Sequence, residues 1–573
     1  MQTPCSFQRS QQRLPMVLLG VWMVVNGSYG LAQTPPNAGI LQQQINNERA
    51  LPVPKELAVP VMPKVQQKPQ TGGPKITVNT FQFVGNTIVS TQTLSALTAH
   101  LLGRSIEFSE LESAAISVGD YYRALGYVVK TSLPAQEIQG GVVTIEIVEA
   151  TFGKVVVDGL ASKLISTQQI VATIHAAQPQ GTKLNANAID KALALVSDLA
   201  GIQVRGNFLE GATQGQTDLV ITLKDLSVWM AEVSADNTGA RSTGRNRIAT
   251  NFAINSPLGM GDQFTASTLS SLGSEYIRLA QTVPVGYSGL KAGVNLSHLN
   301  YRLISQDYSA LMARGTADTV GLESSYPLVR TRQSNVSAVL NMDRKHFVNE
   351  TQGTVASDYA SHLMSLGLSG SVGDNRWGGG KTSFNLTSVG GTLDLSNSAT
   401  QATDASTTRT AGRFNKIRYQ LARDQDLGRS FSFHASLNGQ WANKNLDSSE
   451  KFYLGGIYGV RAYPSSEAGG ARGQLSTFEL RNHLSTSSTW TGFYDVGRVL
   501  VNPNNDYAGA SSLNKYALKG YGVAYAFTAS QGISLKATWA RRVGNNPNPT
   551  ATGNDQDGSL VKNRIWLNAS VPF

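Results

Sequence analysis

From about Leu226 to Phe573 apolar and polar residues alternate with a period of two. In 431–441, Phe431, Phe433, Ala435, Leu437 and Trp441 share one parity, while Ser432, His434, Ser436, Asn438 and Gln440 share the other. Successive side chains of an extended chain point to opposite faces, so such a segment predicts a strand with one apolar face. The pattern recurs at Leu290, Ala292, Val294 and Leu296, at Ile533, Leu535, Ala537 and Trp539, and at Ile565, Leu567, Ala569, Val571 and Phe573. Stretches rich in Gly, Ser, Asn and Asp, such as 396–411 and 545–558, separate the segments. A soluble β-sandwich also alternates, but residues 226–573 exceed one sandwich, and its apolar face would be richer in β-branched residues. A transmembrane barrel uses tilted strands of roughly 9–11 residues joined by alternating short and long connections. Sixteen antiparallel strands fit this length, at about 22 residues per strand and connection.

Upstream the period changes to that of helices, and a duplication emerges. Residues 76–150 predict a strand Ile76–Val84, a helix from near Ser90, and a second helix from Ser109 with Glu112 completing a capping box. Strands Tyr127–Leu133 and Val142–Glu149 follow. Residues 151–225 repeat the order: strand Phe152–Asp158, helices Thr167–Ala176 and Asn187–Leu199, strands Ile202–Leu209 and Thr217–Lys224. Gly126 and Gly140 recur as Gly201 and Gly215, so two β-α-α-β-β modules of equal length stand in series. Helices on one face of each small sheet leave strand edges and a groove open to an extended partner.

The N-terminus predicts a cleaved leader over residues 1–32: Arg9 and Arg13, an apolar run Leu14–Val25, then the small residues Gly30 and Ala32. Its removal takes away the one cysteine, Cys5, and lowers the formal charge from +10 to +8. Residues 33–75 are proline-rich and predict an extended linker. Within them 38–50 reads as a short helix with little apolar surface, which either docks on something polar or stays disordered.

Composition narrows the chemistry. Charged residues are 15% of the chain, against about 25% in an average globular protein. That excludes a dense basic face for nucleic acid and a charge-rich disordered chain. No nucleotide, metal or other cofactor site is expected, and no catalytic residue. Gly378-Gly379-Gly380-Lys381-Thr382 lacks the upstream glycine of a phosphate loop, since position 375 is Asn. Asp555-Gln556-Asp557-Gly558 lacks the remaining ligands of a calcium loop and reads as a solvated loop. The positive charge is spread over the barrel loops, where anionic lipid headgroups are its natural counter-charge.

One segment breaks the alternation. Phe452–Pro464 (FYLGGIYGVRAYP) holds three glycines and a single cation, Arg461. Glycines permit a tight reversing path, so this predicts a loop, about 450–474, that folds inward. A guanidinium carried into a lumen needs an acidic partner on the wall. Glu479, beside Arg481, and Asp495 are the candidates.

In this order of parts the chain resembles the TpsB transporters of two-partner secretion, in the outer-membrane assembly superfamily. Its most specific matches are Gly455, Gly456, Gly459, Val460, Arg461, Ala462 and Tyr463 in the loop, and Phe493, Asp495 and Gly497 in a strand. Phe81, Phe83 and Gly85-Asn86 resemble the start of a POTRA module. The family usually has glycine where this chain has Ala462, so a positive φ there would strain the loop. The resemblance implies a pairing of Arg461 with Asp495, with Glu479 and Arg481 as further lumenal charges. It also implies that 38–50 plugs the pore. The implied function is an outer-membrane pore, with periplasmic POTRA modules, that secretes a large β-helical exoprotein of the haemolysin or haemagglutinin kind without ATP. Further implied partners are outer-membrane lipid, lipopolysaccharide and, through Phe573, the barrel assembly machinery. The alternatives are an insertase for other barrel proteins and a passive porin, and the porin leaves residues 76–225 unexplained.

Overall fold

The computed structural model describes residues 35–48 and 75–573; the leader 1–32 and most of the proline-rich stretch lie outside them. Sixteen antiparallel strands from Trp229–Asp236 to Asn563–Pro572 close into one barrel. The seam pairs 568–572 with 232–236. Phe573 extends it through its backbone, exchanging two hydrogen bonds with Ala231 at 2.8 and 3.3 Å. Closure removes the unpaired strand edges that hydrocarbon cannot solvate.

The alternation sorts as the pattern dictates. Leu296, Leu322, Met342, Leu366, Ile417, Trp441, Phe478 and Ile565 point outward and are exposed. Leu299, Ala317, Phe347, Gln440, Asp495 and Trp566, of opposite parity on their strands, are buried inside. Among the described residues no helix is long and apolar enough to cross a membrane, so strands do all the crossing.

The two preceding modules share one topology. In the first, Thr80–Val84 runs parallel to the central strand Val142–Glu149, which pairs antiparallel with Val129–Ser132. In the second, Thr151–Asp158, Gln216–Asp225 and Ile202–Glu210 repeat that arrangement. The recurring glycines have matching backbones, φ +89° and +97° at Gly126 and Gly201, +63° and +79° at Gly140 and Gly215. These are left-handed conformations that L side chains resist. Two details depart from expectation. The predicted strand 76–84 breaks after Thr77, whose short segment pairs with Ser105–Ile106. That pairing delivers the chain straight into the second helix, Phe108–Ala124, so its capping box is Glu107 with Glu110 rather than Ser109 with Glu112.

Glu149 ties the modules together. Its carboxylate accepts from the Thr87 and Ile88 amides at 2.7 and 2.8 Å, from the Thr87 hydroxyl, and from the Tyr122 hydroxyl at 3.0 Å. Lys183 of the second module lies 3.2 Å away. Burial alone would raise its pKa, but the donors around it outweigh burial and hold it down at about 2 against an ordinary 4.5. Its stabilising contribution is therefore complete above about pH 4.5 and is lost as pH falls from there towards 2, about 3 kcal/mol at most. Glu149→Gln is expected to speed amide exchange in Phe108–Ala124 of the full-length protein at pH 7, with the difference from wild type vanishing near pH 2. An equal difference at both pH values would show that the charge is not what matters.

The second module is also fastened to the barrel. Arg330 and Arg332, at the hairpin turn 331–333, pair with Asp198 at 2.7 Å and Asp190 at 3.0 Å. Another turn bonds Gly261 O to the Ala200 amide at 3.0 Å.

Candidate functional site

The lumen is occupied from two directions. The loop between the strands Phe431–Ala442 and Arg472–His483 turns back inside the barrel. Its tip is a compact knot: the Val460 amide donates to Leu454 O at 2.8 Å, Gly459 to Gly456 O at 3.1 Å, and Gly456 to Tyr463 O at 3.1 Å. A further β-bridge joins Gly455 to Val460. Leu454, Val460, Ala462 and Tyr463 are buried against Leu475, Phe493 and Leu518 of the wall.

The knot presents Arg461 to the wall. Its Nε and Nη2 donate to the two Asp495 oxygens at 2.9 and 2.8 Å, and its own amide donates to Asp495 Oδ2 at 3.1 Å. Nη1 reaches Glu479 at 2.9 Å. The guanidinium lies 3.4 Å from the centroid of the Phe493 ring, so a stacking contact accompanies the ion pairs. The Trp566 indole closes the far side, donating to the Arg461 carbonyl at 2.8 Å. Asp495 is fully buried, and Thr477 gives it a further hydroxyl at 3.1 Å. Glu479 and Asp495 both bind the guanidinium, and the charges continue: Arg481 joins Glu479 at 2.7 Å to Asp424 at 3.0 Å. A bidentate, stacked and triply anchored arginine fixes the loop in one geometry that lysine could not reproduce.

Ala462 is not among the residues with positive φ, so alanine in place of the family's glycine carries no left-handed strain. Its methyl instead faces Gly520, where an added Cβ would lie 2.6 Å away. The close approach is made by the wall rather than by the loop. Tyr463 lies beneath Arg542, 5.0 Å from guanidinium carbon to ring centroid. Leu454 packs where Gly497 leaves room.

The reading of 555–558 as a solvated loop is corrected here. Asp555 is fully buried, held by Arg542 and by Arg564 at 3.0 Å, and Asp557 lies 3.6 Å from Arg564. Inward-facing arginines on neighbouring strands draw these carboxylates into the barrel mouth. Gly378–Thr382, the glycine-rich stretch, is a hairpin turn leading into the strand Gly380–Asp394.

The second occupant is the helix Ala38–Glu48. Asn37 caps it, accepting from the Ile40 amide at 3.0 Å, and reaches Ser448 at 3.0 Å. The Ala38 amide donates to Asn349 Oδ1 at 2.9 Å, which also accepts from Tyr301. Gly39 fits only as glycine, because a Cβ would stand 2.9 Å from both Ser449 Cβ and the Tyr359 hydroxyl. At the other end Glu48 pairs with Arg247 at 2.8 Å, and Arg247 pairs with Asp236 at 2.9 Å. Ser448–Glu450 belongs to the same loop that carries Arg461, and Glu450 holds it to the wall through Lys345 at 2.9 Å and Lys416 at 2.7 Å. Helix and loop are thus docked on each other.

Residues 215–523 match the haemolysin secretion/activation proteins described as ShlB/FhaC/HecB, and residues 76–150 match the ShlB-type POTRA domain. The chain belongs to the ShlB/FhaC/HecB family. It is an outer-membrane transporter that secretes a partner exoprotein, with its POTRA modules in the periplasm. It is 26% identical over 501 residues, 85% of each chain, to the heme/hemopexin transporter protein HuxB of Haemophilus influenzae strain 86-028NP. It is 26% identical over 415 residues, 71% of this chain and 72% of the relative, to the outer membrane transporter CdiB of Dickeya dadantii. The structure of CdiB from Escherichia coli superposes with a TM-score of 0.71 at 18% identity, covering 93% of this chain and 96% of that one.

Proposed function

We propose that this transporter passes its partner through the barrel lumen as an extended chain, with the helix 38–48 vacating the pore during transport. The observation that carries this reading is the polar fit of that helix. Hydrogen bonds at Ala38, Gln43 and Asn47 and one terminal ion pair hold it along its length, while Ala38, Leu41 and the partly buried Ile45 are its apolar contribution to the lumenal cluster around Leu299, Phe347 and Tyr359. Such a seat releases its occupant at far lower cost than an apolar core of equal size. A substrate strand binds the open edges Thr80–Val84 and Val129–Ser132, or Thr151–Asp158 and Ile202–Glu210, by backbone pairing that demands little of its sequence. The periplasm supplies no ATP, so folding of the exported chain outside the cell provides the drive. The partner is a large β-helical exoprotein, and the transporter has no catalytic role. Outer-membrane lipid and lipopolysaccharide surround the barrel, and the barrel assembly machinery inserts it.

Deleting residues 38–48 is expected to raise single-channel conductance severalfold in planar bilayers. Arg247→Ala, which frees Glu48, is expected to increase the fraction of time spent open without changing the fully open level. Unchanged conductance after the deletion would contradict the plug.

A further inference from the structure

The outer wall carries charges where a lipid-facing wall should have none. On strands 334–351, 354–374, 380–394 and 412–426, the register places Arg344, His362, Thr392 and Arg413 side by side in one outward row. All four are exposed. Among the described residues neither Arg344 nor Arg413 makes a hydrogen bond or ion pair with the protein. The row directly below is Leu322, Met342, Met364, Gly390 and Asn415, with an open recess of about 780 Å³ running along these strands.

Depth settles what the row meets. The turn 331–333 is periplasmic, since Arg330 just before it and Arg332 within it grip the second POTRA module. From that turn the ten residues 334–343 climb to Arg344, which is about the number a tilted strand needs to cross the hydrocarbon. An outward arginine costs about 2–4 kcal/mol at the midplane but only about 0–1 near an interface. Arg344 and Arg413 therefore stand at the headgroup level of the outer leaflet. The nearest acids form no ion pair with either arginine: Asp318 bonds His298 at 2.7 Å, Asp358 bonds His346 at 2.7 Å, and Asp394 accepts from the Ser396 amide at 2.9 Å.

The geometry points to a binding site for a phosphorylated glycolipid of the outer leaflet, its acyl chains on the methionine row and its phosphates on Arg344 and Arg413. Three strand spacings, about 14 Å, separate these two residues along the row. One phosphate cannot bridge that span, whereas a disaccharide bearing a phosphate at each end can. Guanidinium forks suit both ends, and His362 and Thr392 face the sugars between them. A lone outward arginine such as Arg498, whose register neighbours are Gln474 and Ala517, lacks the second fork.

The test titrates purified full-length protein in detergent with bis-phosphorylated lipid A and with its dephosphorylated form. Wild type is expected to prefer the phosphorylated lipid by about tenfold or more, and Arg344→Ala/Arg413→Ala to lose that preference. Arg498→Ala is expected to retain it. Heat-modifiable gel mobility reports whether each barrel has folded. Should the alanine pair not fold, Arg344→Lys/Arg413→Lys is read instead, with a severalfold loss expected because the forks are gone. Equal binding of the two lipids by wild type, or an unchanged preference in a folded double variant, overturns the site.

Discussion

Arg461→Ala is expected to reduce secretion at least tenfold while leaving the barrel inserted. The substitution strands Asp495, which is fully buried and keeps only neutral donors, the residue 461 amide and the Thr477 hydroxyl. An uncompensated buried carboxylate costs about 3–5 kcal/mol at most, less whatever lumenal water recovers. Glu479 loses one cation but keeps Arg481, so the damage centres on Asp495. Asp495→Ala should be about as harmful, since it removes the bidentate partner and the acceptor of the Arg461 amide together. The double variant should secrete no worse than the poorer single, because the two residues form one interaction. Independent, additive losses would contradict that pairing. Arg461→Lys is expected to rescue little, as an ammonium can neither fork onto Asp495 nor stack on Phe493 in the same way. Secretion of the co-expressed partner into the medium, normalised to heat-modifiable barrel, is the readout.

Deleting residues 76–225 is expected to abolish secretion and spare insertion. Barrel closure draws on strands from Trp229 onward, and its seam is made with the C-terminal strand, so nothing in the deleted stretch contributes a wall strand. What disappears is the strand edges that the two modules offer to the periplasm, along with the fastening of Arg330 and Arg332 to Asp198 and Asp190. Continued export by the bare barrel would show that the lumen alone recruits the partner.

Much of this architecture was legible before any coordinates. Period-two alternation at 431–441 and 565–573 marked which side chains face lipid, because a barrel wall has one apolar and one polar side. Gly126 and Gly201 marked equivalent helix stops, because both need a left-handed backbone. The loop motif brought Arg461, Glu479 and Asp495 into view together. Other features depend on distant partners that leave no local signature. The stacking of Phe493 under Arg461 and the Trp566 bond to its carbonyl join positions 32 and 105 residues away in sequence. Alternation put Trp566 on the polar parity, the signal that could have flagged it. The seat of helix 38–48 could not be read at all, since Asn349, Ser448 and Arg247 are ordinary polar residues until the barrel gathers them. Asp555 misled for the same reason: two acids in a glycine-containing loop look solvated unless Arg542 and Arg564 are known to face them.

Site-specific photo-crosslinking of the partner during export tests lumenal passage most directly. Asn438 and Leu437 are neighbours on one strand and point to opposite sides of the wall, into the lumen and towards lipid. With the crosslinker at 438 the exported chain should be captured, and with it at 437 it should not. Capture at 437, or sustained secretion with no adduct at 438 or at other lumen-facing positions of the strand, would contradict passage through the barrel.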